Sequence, residues 1–222
     1  MHVIIVLCSL AAYAQETARP AVTATPAPAV KKVNERPGDK TAGEPFDKVT
    51  VKAMATRCVT LATDLGDIYL EVYPESAPES VRNFLNLAIL GAYDGTTFSR
   101  VVPDFVVQGG DLNTRSDGVS PALAKRAART IVDEPNNILH ERGIVSMARP
   151  EEPNQASTHF FILVREAPSL DGKYAAFGKV LRGMEFVDAI NKAAVDGEKP
   201  VKPVRIRKAT VVECSGRPGS AL

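Results

Sequence analysis

Arg100 lies in a run of apolar, strand-type residues from Thr97 to Val102, with Phe105 five positions on and Gln108 three beyond that. A guanidinium in such a strand is costly unless its stem packs and its head meets a groove or a partner. Phe105 and Gln108 supply an apolar wall and an amide for a groove, and Gly109-Gly110 lets another backbone come close. A planar, permanently charged group with several N–H donors suits a carbonyl or another acceptor that must be held in one orientation. The residue types alone leave a second reading open, an edge-strand arginine directed into water.

Other chemistries find little material. Histidine occurs only at 2, 140 and 159, which argues against a metalloenzyme. Gly109-Gly110 lacks the glycine spacing of a phosphate-cradling loop. With 27 basic and 26 acidic residues the net charge is +1, which argues against a nucleic-acid binder working through a broad basic surface.

The elements that must position Arg100 are legible as periodicities. Cys58–Leu61 and Ile68–Tyr73 are strand-like and joined by the turn Asp64-Leu65-Gly66-Asp67. A helix is predicted from Ser76 as cap, with Pro78 in its first turn and Glu79 three residues after the cap. Its apolar stripe is Val81, Phe84, Leu85, Ala88 and Ile89, and Gly91 ends it. Further strand-like runs are Thr97–Val102, Phe105–Gln108, Gly143–Met147, His159–Val164, Ala175–Val180 and Ile206–Cys214. A second helical pattern covers Met184–Lys192 on Phe186, Val187 and Ile190. Many short strands with two helices and no regular βαβ alternation predict an antiparallel barrel or sandwich.

The first fifty residues differ in character. Val3–Ala12 is an apolar run too short to span a bilayer, followed by Ala12-Tyr13-Ala14, a small-x-small cleavage pattern. Residues 1–14 are read as a signal peptide and the protein as exported, periplasmic or secreted; Met1-His2 lacks the usual basic charge, and a frayed apolar N-terminus is the alternative. Residues 15–50, rich in Ala, Pro and Thr and then in charge, offer no apolar face and are read as a disordered linker to a domain at 51–216.

Several blocks, taken in order, carry a resemblance. Residues 77–84 (APESVRNF), 91–98 (GAYDGTTF), 98–111 (FSRVVPDFVVQGGD), 146–149 (SMAR), 159–162 (HFFI) and 170–180 (LDGKYAAFGKV) together resemble the cyclophilins over about residues 58 to 214. The resemblance implies an eight-stranded antiparallel β-barrel capped by two α-helices. It also implies peptidyl-prolyl cis–trans isomerase activity without cofactor or metal. Carried over position by position, it makes Arg100, Phe105 and Gln108 catalytic and places Val106, Ala148, His159, Phe161, Leu170 and Tyr174 around the substrate. The implied partners are proline-containing peptides and folding protein clients, not nucleic acid. The protein would be a monomer without stable membrane insertion once its signal is removed. The rival reading is a non-catalytic proline-peptide-binding chaperone or scaffold.

Departures from the family pattern bear on the site. His159 stands where Gln is usual; an imidazole keeps hydrogen-bonding capacity and can change charge near neutral pH. Tyr174 stands at a frequent His, and Ser169 stands where cyclosporin-sensitive relatives often have Trp, which predicts weak cyclosporin inhibition. The 114–130 segment is unlike the family's Gly/Thr-rich loop. Pro121–Arg129 has helix-forming character, and Lys125, Arg126 and Arg129 would either favour acidic substrates or form a solvated face. The barrel's first and last strands adjoin in this family, which suggests a Cys58–Cys214 disulfide in an exported chain.

Overall fold

The computed structural model describes residues 43–214; the signal segment and most of the linker expectation lie outside the described residues. A short helix α1 (Val51–Met54) leads into β1 (Arg57–Thr63), β2 (Asp67–Val72) and helix α2 (Pro78–Ile89). The hairpin β3 (Arg100–Val102) and β4 (Val106–Gly109) follows, then helix α3 (Pro121–Ala127). Strands β5 (Ile144–Met147), β6 (Phe160–Leu163) and β7 (Ala176–Arg182) precede helix α4 (Met184–Asn191). A small hairpin, β8 (Val195–Asp196) and β9 (Lys199–Pro200), leads to the last strand β10 (Ile206–Glu213).

Eight strands form one antiparallel sheet in the order β10-β1-β2-β7-β5-β6-β4-β3. Its two end strands approach through a bridge between Thr97 and Arg205, with Phe98 N–H donating to the Val204 carbonyl at 3.0 Å. Successive residues of a strand point to opposite faces of the sheet, and here both faces carry apolar groups. Val101, Val107, Val145, Phe160 and Ile162 point into the main core. Val106, Phe161 and Leu163 belong to a second, smaller apolar cluster on the other face. Inside, Phe84, Tyr93, Phe160 and Phe177 pack ring to ring with centroids 4.9 to 5.5 Å apart.

Three local expectations need correction. Ser76 does not cap α2: the cap residue is Ala77, and its side chain makes no capping bond. The carboxylate of Glu134 instead accepts from the backbone N–H groups of Glu79 (2.9 Å) and Ser80 (2.7 Å), an anion on the positive end of the helix dipole. Ile89 leaves the core at 48% exposure while Leu87 is fully buried, because the face α2 offers the sheet lies slightly off the expected stripe. The chain also docks before residue 51. Phe46, the lone aromatic between Tyr13 and Tyr69, is buried against the main cluster. Its N–H donates to Asn86 Oδ1 at 2.8 Å, and Arg82 donates to the Phe46 and Val49 carbonyls.

Helix α3 forms where Pro121–Arg129 allowed it, capped by Ser120, whose Oγ accepts from Leu123 N–H. Arg126 in α3 and Arg129 just past it serve the docked segment, sharing the Glu44 carboxylate, with Arg126 at 2.5 Å. Two of the three basic residues of this segment are therefore engaged by Glu44.

Cys58 on β1 and Cys214, just past β10, are joined by a disulfide, with Cα atoms 5.0 Å apart. The strand register explains the meeting, since Arg57 faces Glu213 and Cys58 faces Val212.

Candidate active site

Strand pairing assembles the site in a row. Arg100 on β3 faces Gln108 on β4, Gln108 faces Phe161 on β6, and Phe161 faces Ser146 on β5. Directly paired residues project to the same side of a sheet, so residues 61 positions apart in sequence share one strip of surface. A cavity of about 200 Å³ opens there, on the face opposite the main core. Phe105, Val106, Phe161 and Leu170 form its apolar walls, Ala148 and Tyr174 flank it, and Arg100, Gln108 and Arg149 bring polar groups to its edge. Eight of the nine expected site residues, catalytic and substrate-binding together, thus meet at one cavity.

His159 is the exception. It lines an adjoining depression of about 640 Å³ that shares Arg100, Gln108, Ala148, Arg149 and Tyr174 with the first. Burial pushes its imidazole pKa below the ordinary value, with the Asp111 carboxylate pulling the other way. Its expected place beside the substrate is therefore the flank of the groove, not the apolar pocket.

The β3–β4 turn that presents Phe105 is held from outside the sheet. Asp104 adopts a left-handed φ of 55°, and its N–H donates to Asn191 Oδ1 at 2.8 Å. The Asn191 amide donates to the carbonyls of Val102 (2.9 Å) and Val106 (3.1 Å), so the end of α4 buttresses both arms of the turn.

The loop bearing Leu170 and Tyr174 is tied down by a chain of polar groups, its His140 and Ser146 buried, that the sequence did not single out. Asp171 Oδ1 accepts from His140 N–H (2.7 Å) and lies 3.0 Å from His140 Nδ1, while Ser146 Oγ lies 3.0 Å from His140 Nε2. A neutral imidazole protonated on Nδ1 satisfies both: it donates to Asp171 and accepts from Ser146. The bonds from His140 hold the Asp171 carboxyl below the usual carboxylate range. His140 also stacks on Phe161, and Phe161 meets Tyr174 edge-on at 5.8 Å. Arg149 caps the same corner, its guanidinium 5.3 Å from the Tyr174 ring centroid and paired with Asp133 at 3.0 Å.

Arg100 itself is 41% exposed, its stem along the strand and its head at the cavity rim. Nη1 donates to Gln108 Oε1 at 3.3 Å. Nε and Nη2 donate to the two carboxylate oxygens of Glu198, at 2.6 and 3.0 Å. Glu198 is 98 residues away in sequence, and no local pattern marks it. The guanidinium thus sits between an amide and a carboxylate, with N–H capacity left to hold a carbonyl against the apolar pocket.

The family model for cyclophilin type peptidyl-prolyl cis-trans isomerase/CLD matches residues 58–211. The peptidyl-prolyl cis-trans isomerase ppi1 of Schizosaccharomyces pombe is 39% identical over 157 residues, 69% of this chain and 98% of that protein. A probable peptidyl-prolyl cis-trans isomerase of Brucella abortus is 38% identical over 152 residues, 66% of this chain and 78% of that protein. Among solved structures, a Cryptosporidium parvum cyclophilin type isomerase, crystallised in the presence of the dipeptide Ala-Pro, superposes with a TM-score of 0.61 at 30% identity. That match covers 72% of this chain and 99% of the other. The eight-stranded antiparallel sheet and these matches concur: the chain belongs to the cyclophilin-type peptidyl-prolyl cis-trans isomerases.

Proposed function

We propose that the protein accelerates rotation about X–Pro bonds through Arg100, with Phe105, Val106, Phe161 and Leu170 gripping the pyrrolidine ring, and that its clients are exported proteins in the course of folding. The uncatalysed barrier is about 18–20 kcal/mol because resonance gives the C–N bond partial double-bond character. No covalent bond need break; the site has only to favour the twisted state. As the bond turns, resonance is lost and the proline nitrogen gains a lone pair. The Arg100 guanidinium holds the substrate carbonyl and donates toward that nitrogen. A bond stronger in the twisted state than in the planar one lowers the barrier. The apolar walls exclude water and strengthen the charge at the rim. Gln108 orients Arg100 and a substrate backbone group, and His159, on the flank, serves the residues preceding proline.

The observation that carries this reading is the placement of the Arg100 head at the mouth of an apolar cavity of about 200 Å³. The export role rests on the apolar run before Ala14 and on the disulfide, a bond that persists in oxidising compartments. An isomerisation assay on an Ala-Pro peptide tests the activity. Wild type accelerates exchange, and Arg100→Ala lowers kcat/KM by about 100-fold, the scale of losing one preorganised donor. Peptide binding without turnover would point to a binding module instead.

A further inference from the structure

The small hairpin β8–β9 lies outside the groove, yet one of its side chains reaches the arginine on which the proposed isomerase mechanism depends. Its two-residue loop is Gly197-Glu198, with Gly197 at a left-handed φ of 61°. The Glu198 carbonyl accepts from Val101 N–H at 2.8 Å, which stitches the loop to β3 beside Arg100. From that fixed point the carboxylate takes Nε and Nη2 of Arg100 side-on. Among the described residues, no other carboxylate pairs with Arg100.

We propose that Glu198 is a positioning residue for the isomerase reaction: its carboxylate fixes the plane of the Arg100 guanidinium so that the remaining N–H groups face the apolar pocket. The geometry favours orientation over stability. Both partners are about half exposed (41% and 55%), and an exposed ion pair adds little to folding free energy. A side-on, two-bond contact does remove the rotational freedom of a long side chain. Gln108 alone, with one 3.3 Å bond to Nη1, leaves that plane free to turn. A misdirected donor costs rate in the twisted state and little in ground-state binding.

The test is steady-state isomerisation with Glu198→Ala and Glu198→Gln, each checked for an unchanged melting temperature. Every Glu198 variant keeps the backbone bond to Val101, so the substitutions isolate the carboxylate. The expected result for Glu198→Ala is a fall in kcat of about tenfold with KM within about twofold. Glu198→Gln keeps one acceptor oxygen and loses about threefold. In the NMR spectrum, the Arg100 Nε–H resonance, protected in wild type, exchanges rapidly in Glu198→Ala. An unchanged or raised kcat, or a loss confined to KM, overturns the inference. Wild type in the same assay separates the two questions: an inactive wild type refutes the isomerase reading, whereas an active wild type with an equally active Glu198→Ala refutes only the role of Glu198.

Discussion

Gln108 stands directly across the β3–β4 hairpin from Arg100, its Oε1 accepting from Nη1 at 3.3 Å while its other neighbour, Phe161, forms a wall of the pocket. The amide therefore touches both the cation and the apolar surface. Gln108→Ala should lower kcat/KM for an Ala-Pro peptide by about tenfold, the worth of one hydrogen bond to a charged group. The variant should keep the melting temperature of wild type; the assay and a thermal scan together check it.

His159 gives the site a signed pH dependence. Burial lowers its pKa in the folded protein, whereas the unfolded chain titrates near the ordinary value of 6.5. Between the two values the unfolded state binds the extra proton, so stability falls as pH drops below about 6.5 and is fully present above it. His159→Gln should remove that part of the acid loss. Denaturant titrations of both proteins at several pH values between 5 and 8 measure the difference.

The Cys58–Cys214 bond closes a loop with a sequence separation of 156. In the chain-entropy account such a loop contributes about 5 kcal/mol. Reduction, or replacement of both cysteines by serine, should lower the melting temperature by about 10 °C or more. Activity below the new transition should persist, since neither sulfur lies near the groove residues.

Tyr93 is fully buried among Phe84 and Phe160, and its hydroxyl has no partner among the described residues. Burial raises its pKa, so the group stays neutral. An unpaired buried hydroxyl costs free energy, and Tyr93→Phe should stabilise the domain by about 1 kcal/mol. Chemical denaturation at neutral pH reads the gain as a higher midpoint at unchanged slope.

Ser169 is exposed on the turn that leads to Leu170, without the bulk of an aromatic ring. Cyclosporin should inhibit weakly, and Ser169→Trp should tighten inhibition while leaving peptide isomerisation near wild type. Nanomolar inhibition of the wild type would contradict this.

By itself the sequence determined what depends on neighbours along the chain. Short apolar runs between turn residues marked the strands, the Pro78 start and Gly91 stop bounded α2, and Arg100, Phe105 and Gln108 stood out within one stretch of strand-like residues. Those patterns are local because a strand alternates faces and a helix repeats within a few residues. Tertiary structure decided what depends on approach across the fold. It brought Glu198 to Arg100, set Glu134 rather than Ser76 at the start of α2, and linked Asp171 through His140 to Ser146. It also docked Phe46 in a stretch that reads as linker, since one aromatic suffices where a pocket and the Asn86 and Arg82 side chains await it. A carboxylate carries no sign in sequence of the cation it will meet; only the register of β3 and the position of the β8–β9 loop bring the two together.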